Sequence, residues 1–498
     1  MKYLCVLIWS MPLLVLGQLS LDPIFSDHMV FQQGQKITVW GKAIPGMTIA
    51  GMMQHDQQST FVQPDSSWLL HFASLTASAR PYSITISTQG QSIQMNDILI
   101  GDLWLCLGQS NMEWPMVKEL HYKEAVSMSD QPLLRFYNPD YTGKGIYNTP
   151  FNDSIIQRLQ KGPFYQGVWQ VSDSNTIKQM SAVAYYFGKE LLLDQGIPIG
   201  LIQLSIGGAP LETLIDREVM KAAPQFTSKI KADWLHNPSL PVWIKERAVQ
   251  NLGDVNPLGA DNDLAHPFAP GFAFDRGLKS FVPLPIKGVI FYQGESNAQE
   301  QDRVAEYADL FKLMVRDYRR QWHQPSLPFY YVQLSSIDTT RYKSQCWPAF
   351  REEQRKILST VDHTGMAVSS DVGAKDDVHP TDKKTVGHRL ALQALKNSYH
   401  KRIVADGPLV KKAKYHRGKT TITFHYPIRV LATSDQKPLR GFSIDPHKET
   451  TALIHHRKVI IPGMSKPDYI YYAWQPYSTA NLTNDLGLPA STFKIKVK

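Results

Sequence analysis

Three cysteines in 498 residues are too few for a disulfide framework. Cys5 lies in an amino-terminal apolar run, which leaves Cys106 and Cys346. Cys106 sits in the apolar stretch LWLCLG and reads as a buried strand thiol; whether it meets Cys346 is open from spacing alone. His-Glu-x-x-His, paired Cys-x-x-Cys, the P-loop and a G-x-G-x-x-G after a strand are all missing, so zinc-peptidase, nucleotide and dinucleotide readings have no support. The G-x-S-x-G elbow of the α/β-hydrolases is missing as well. After the first twenty residues no apolar run approaches the roughly 18 positions that a membrane span needs. The net charge of +9 leans toward an anionic substrate or surface, but it constrains partners weakly. The densest basic cluster, KKAKYHRGK at 411–419, lacks a nucleic-acid motif and reads as a solvated face. No nucleic-acid partner and no membrane span are therefore expected.

What is present is a globular composition, 43% hydrophobic and 19% charged, in a chain long enough for two or three domains. Lys2 precedes an apolar run from Tyr3 to Leu16 and then Gly17, the layout of a secretory signal peptide cut near Gly17, so residues 1–17 predict export, secreted or periplasmic. Residues 18–97 carry short alternating runs between turn signals, as in KITVWGKA and YSITIST, and predict a small β-sandwich. From 98 to 400 apolar strands alternate with amphipathic helices. The strands are ILIGDLWLCL, IGLIQLSI, IKGVIFYQ, PFYYVQLS and TGMAVSSD; the helices include AVAYYFGKELLLDQ, with Ser181 to cap it and Gly196 to end it. This alternation implies α/β architecture with a parallel sheet whose ligands bind beyond the strands' carboxyl ends. An irregular Pro- and Asn-rich insertion occupies about 212–280, and β-like runs return over 401–498, as a separate β-region or an addition to the first. Two glycosylation sequons, at Asn152 and Asn481, matter only if the source glycosylates exported proteins.

Four polar clusters follow predicted strands: GQSNM at 108–112, IGGAP at 206–210, YQGESN at 292–297 and, a few residues beyond its strand, DDVHP at 376–380. One parallel sheet would bring them to one edge. Ser110 is a candidate nucleophile, and a serine needs a base. His379 is the candidate base, with Asp376 three residues earlier able to curl back to the imidazole and Asp377 also at hand. Acyl transfer needs donors for a developing oxyanion, and the N–H of Ser110, a backbone N–H of Gly207 or Gly208 and the amide of Gln293 would supply them. Gln109, Asn111, Glu295 and Asn297 are candidates for substrate contact or loop support. Each cluster alone also has a bland reading, as a turn, a cap or a buried polar support; their co-placement is what points to catalysis.

The stretches GQSNMEWPM, GLIQLSIGGAPLE, IKGVIFYQGESNA and DVGAKDDVHPTDKKTVGHRLAL resemble the sialate O-acetylesterase family, a branch of the SGNH hydrolases. IFSDHMVFQQ, WPAFREEQ and NLTNDLGLPASTF extend the resemblance over nearly the whole mature chain. It implies a flavodoxin-like three-layer α/β/α catalytic domain with accessory β-sandwich-like regions, and hydrolysis of acetyl esters on sugars, typically O-acetylated sialic acid, with no metal or organic cofactor. Ser110 matches the family's nucleophile and His379 its base; Asp376 fits the general Asp-x-x-His spacing, while some members work as a Ser–His dyad. Ile206 and Ala209 depart from the tryptophan and threonine that often flank the paired glycines, and FDRGLKS stands where an Asn–Met pair is common; these changes leave the catalytic groups intact and bear on which sugar carries the ester. Two other readings are an esterase of acetylated polysaccharide such as xylan, and a glycan-binding protein on a hydrolase scaffold.

Overall fold

A computed structural model describes residues 18–231, 233–253, 264–425 and 430–498. The apolar leader at 1–17, and positions 232 and 254–263 of the irregular insertion, lie outside the described residues. The architecture is mixed α/β, with a large central sheet and further β-sheets toward the carboxyl terminus.

The organising element is an 18-residue strand, β1, Gln91–Gly108. Its first half pairs antiparallel with the strand Ser78–Thr88, among the amino-terminal β-strands. Its second half, where burial is continuous, runs parallel between β4, Ile199–Gln203, and β5, Gly288–Tyr292. The expected boundary at 97/98 thus falls inside one continuous strand. With β2, Gln131–Tyr137, β3, Trp169–Ser172, β6, Phe329–Gln333, and β7, Thr364–Val368, the sheet order is β3-β2-β4-β1-β5-β6-β7. All neighbours are parallel except the edge pair β3–β2. β4 lies on one side of β1 and β5 on the other, so the loops leaving their carboxyl ends diverge around the end of β1. That is a topological switch point, where a crevice opens in an α/β sheet.

Helices cover both faces. α2, Ala182–Gln195, and α6, Lys383–Asn397, lie on one; α4, Gln301–Gln321, and α5, Trp347–Thr360, lie on the other. The period-2 alternation of a strand shows in two adjacent tyrosines. Tyr330 faces Trp104, whose ring also meets Phe187 of α2, whereas Tyr331 faces Phe311 of α4. α2 has the ends its sequence predicts: the Ser181 hydroxyl accepts the Ala184 N–H at 3.1 Å, and Gly196 closes the helix at φ 65°. Cys106 is fully buried and Cys346 half-buried, and both are free thiols.

Residues 410–497 form a second hydrophobic cluster under short antiparallel strands. Buried Arg351 of α5 reaches it, donating to the carbonyls of Ala473 at 3.0 Å, Gln475 at 2.5 Å and Pro476 at 3.2 Å. Of the two sequons, Asn152 is exposed, while Asn481 is buried and bonded to Asp435 and the Pro438 carbonyl.

At the end of β1, Gly108 adopts φ +142°, and a Cβ there would lie 2.0 Å from the Tyr292 carbonyl oxygen of β5. Gly108→Ala is therefore expected to lower unfolding free energy by on the order of 4 kcal/mol in a denaturant titration. Gly90→Ala, at φ +77° with nothing within 4 Å of the new methyl, should cost only about 1 to 2 kcal/mol. Equal losses at the two positions would mean that close approach to β5 is not what demands glycine.

Candidate active site

Gly108 lets the chain leave β1 against β5, and the Gln109 N–H continues the contact by donating to the Tyr292 carbonyl at 3.0 Å. Ser110 then opens a single helical turn, α1, Ser110–Glu113. A residue at a helix start keeps a backbone N–H without an intrahelical acceptor. Neither the Ser110 N–H nor the Gly208 N–H donates a hydrogen bond among the described residues. The Gly207 N–H, by contrast, donates to the Tyr141 hydroxyl at 3.1 Å. Gly208 holds φ +77° beneath the tip of Trp243, in a turn that starts where the Ile206 N–H bonds the Gly108 carbonyl.

His379 reaches the same place from beyond β7. Its Nε2 lies 2.8 Å from Ser110 Oγ, and its ring stacks on Trp114 with centroids 5.0 Å apart. Trp114 thus forms one wall beside the imidazole. The carboxylate beside the imidazole is Asp377, not the Asp376 favoured from Asp-x-x-His spacing. Asp377 Oδ1 accepts the His379 N–H at 2.9 Å, and this tight turn holds it 3.7 Å from Nδ1. Asp376 is exposed and makes no contact with His379 among the described residues. Asp377 is itself 62% exposed, so its attraction for an imidazolium is screened.

Beneath this pair sits a polar web in which most of the remaining predicted residues serve as supports. Asn111 donates to Glu295 Oε1 at 2.5 Å and to the Val378 carbonyl at 2.9 Å, and accepts from Lys383 Nζ at 2.5 Å. Gln109 Oε1 accepts from Gln293 Nε2 at 3.2 Å and from the N–H groups of Gly294 and Ser296 at 3.3 Å each. Gln293, expected as an oxyanion donor, is turned inward. Its two amide hydrogens face Gln109, the Ala209 carbonyl and Asn297 Oδ1. Asn297 is likewise engaged, accepting from the Leu211 N–H at 3.0 Å and donating to Glu212 at 2.9 Å.

Two buried ionisable groups here escaped the sequence reading. Lys383, four residues after His379 and the first residue of α6, is wholly buried, and desolvation pulls its ammonium down to about 7. Glu113, three residues after Ser110, packs against Gly207 and is pushed up to about 7, chiefly by burial. Burial also raises the Glu295 carboxyl to about 7. Lys383 reads as an ordinary first-turn helix residue, and only the fold shows that its ammonium lies against Asn111, beneath Ser110 and His379.

Residues 275–396 match the family described as "Carbohydrate esterase, sialic acid-specific acetylesterase". The chain is 25% identical over 442 residues to the sialate O-acetylesterase of Mus musculus, covering 81% of this chain and 78% of the relative. It is 26% identical over 444 residues to that of Homo sapiens, covering 81% and 76%. Among solved structures, a carbohydrate acetylesterase from Xanthomonas citri superposes with a TM-score of 0.78 at 27% identity, over 96% of this chain and 99% of that one. The resemblance read from the motifs therefore extends to sequence and fold over most of the molecule.

Burial, then the Lys383 charge, hold the His379 imidazole down to about 4, opposed by Asp377. Lys383 is protonated at that pH, since its own midpoint is about 7. An NMR titration of the His379 ring should show a midpoint near 4, and Lys383→Met should move it upward, because a cation that disfavours imidazolium is gone. An unchanged midpoint in the variant would exclude Lys383 as a source of the depression.

Proposed function

We propose that this protein is a carbohydrate acetylesterase that hydrolyses O-acetyl esters of sialic acid through a covalent acetyl-serine. The observation that carries the reading is the 2.8 Å contact between Ser110 Oγ and His379 Nε2 at the switch point of the sheet, beside two uncommitted backbone N–H groups. Burial supports it further, because an imidazole neutral down to about pH 4 is a free base throughout the neutral range.

In the proposed reaction His379 Nε2 takes the Ser110 hydroxyl proton as Oγ attacks the acetyl carbonyl. The N–H groups of Ser110 and Gly208 receive the oxyanion of the tetrahedral intermediate. As that intermediate collapses, the imidazolium returns the proton to the sugar oxygen, which leaves as an alcohol. His379 then takes a proton from water, whose oxygen attacks the acetyl-serine. The second collapse restores Ser110 and releases acetate. Asp377 orients the imidazole from a solvated position, closer to an assisted dyad than to a buried triad. Every step uses side chains and backbone of this chain.

The leader at 1–17, with cleavage near Gly17, supports an exported enzyme. No described helix is long and apolar enough to cross a membrane.

Ser110→Ala should reduce acetate release by roughly a thousandfold or more with the circular dichroism spectrum unchanged. Full activity in the folded variant would end the acyl-enzyme reading. Asp377→Asn should lower kcat by about tenfold, a loss limited by solvent screening, and Asp376→Asn by less than about twofold. The reverse ranking would restore Asp376 as the partner of His379. Acetate release should also be faster from 9-O-acetylated sialic acid than from acetylxylan.

A further inference from the structure

α3, Val242–Leu252, belongs to the irregular insertion and crosses the glycine turn that carries the Gly208 N–H. Residues four apart on a helix share a face, and α3 sets Trp243 and Arg247 on the face toward that turn. The tip of Trp243 covers Gly208, at 3.0 Å from where a Cβ would stand, and its indole N–H donates to the Ser296 carbonyl at 3.3 Å. One turn on, the Arg247 guanidinium stands 5.3 Å over the ring of Tyr147, whose hydroxyl lies 2.6 Å from where a Gly207 Cβ would be.

The surroundings of Arg247 do not complete it. Its Nη1 is buried and has no hydrogen-bond partner among the described residues. Among the described residues the groups that act on its charge are Tyr147, Tyr342 and a second cation, Arg341, and no carboxylate is among them. Arg341 is exposed and leans on the Tyr342 ring at 5.5 Å. Lys144, a further cation near Gly207, is already paired with Asp140 at 3.1 Å. A guanidinium with a buried N–H unused and no counter-ion among the described residues, with a second arginine acting on its charge, suits a planar anion.

We propose that Arg247, with Arg341 at the rim, receives the carboxylate of the sugar whose acetyl ester lies at Ser110, so that the site selects acetylated acidic sugars over neutral ones. The inference rests on the sialate reading above and deepens it, assigning the acidic-sugar preference to a segment outside the four motif clusters. Trp243 would present an apolar ring beside the carbonyl carbon under attack, and Arg247 would fix the far side of the same monosaccharide.

The test measures kcat/KM for 9-O-acetyl-N-acetylneuraminic acid, for its carboxyl methyl ester and for an acetylated neutral monosaccharide, with the full chain and with Arg247→Gln, Arg247→Lys and Arg341→Gln. Loss of a charge-assisted pair is worth about tenfold to a hundredfold. Arg247→Gln should lower kcat/KM for the free acid by that factor, mainly through KM, and bring it to the level of the methyl ester. Arg247→Lys should recover part of the loss, and Arg341→Gln should cost less than Arg247→Gln. Methylation and Arg247→Gln should not add, since both remove the same contact. If the intact protein hydrolyses the free acid well but Arg247→Gln lowers acid, methyl ester and neutral sugar alike, the inference falls and the sialate reading stands. If the intact protein treats free acid and methyl ester equally and prefers the neutral sugar, both fall together. Should Arg247→Gln not fold, the acid-to-methyl-ester ratio of the intact protein, compared with that of Arg341→Gln, decides the matter.

Discussion

The geometry of the site depends on one buried amide. Asn111 follows Ser110 directly, and its three hydrogen bonds reach Glu295 after β5, the Val378 carbonyl beside His379 and Lys383 in the first turn of α6. Each partner lies in a different segment from Ser110, and all are excluded from water. A buried amide has no solvent to replace a lost partner, so displacing any segment leaves polar groups unpaired at a cost of about 1 to 3 kcal/mol each. The 2.8 Å approach of His379 to Ser110 is therefore set from beneath, by a neighbour of the serine, rather than by the serine itself.

That amide has a place to work because β1 ends between two strands whose loops diverge. Gly108 brings the chain within van der Waals range of the β5 backbone, and Gly207 and Gly208 do the same on the β4 side, where Glu113, Tyr147, Trp243 and Phe268 occupy the space that side chains would need. Glycine is required here for closeness as much as for φ. The consequence for chemistry is that two backbone N–H groups without an acceptor among the described residues lie close to the rings of Trp114, Trp243 and Phe268. Side-chain amides such as Gln293, which look like donors in sequence, are used up in holding the walls.

The α/β core was legible because its signal is local. Continuous apolar runs, a serine cap and a terminal glycine identify α2 and five central strands without tertiary information. β2 and β3 were not legible: QPLLRFY carries Pro132 near its start and Arg135 in its middle, and β3 is four residues long. Arg135 is tolerated in a buried strand because it bonds Asp97, 38 residues away, at 2.7 Å, a compensation no local pattern records. At the site, sequence singled out Ser110, His379 and four clusters that the fold brings together. Spacing misassigned the carboxylate, because a residue two before the histidine can close a turn onto its N–H and thereby be carried to the ring. Lys383, Glu113 and Arg247 stayed hidden for one shared reason: what sets them apart is burial, with an unpartnered Nη1 among the described residues for Arg247, and burial is a property of the assembled fold.

Those hidden charges bear on how the base works. An imidazole that titrates near 4 is a weak proton acceptor in the ground state, and the imidazolium formed on attack needs compensation. Asp377 offers only part of it from a solvated position, and buried Lys383 opposes it. In the proposed acyl transfer, the oxyanion that forms at the same moment would be the missing counter-charge. It would develop close to His379, in a crevice where the Coulomb attraction of opposite charges is less screened than in water. On this reading the transition state is an internal ion pair, stabilised as a unit, and the resting site disfavours either charge alone. That arrangement keeps the base free for reaction in mildly acidic surroundings, where an ordinary histidine with a midpoint near 6.5 would already be half protonated.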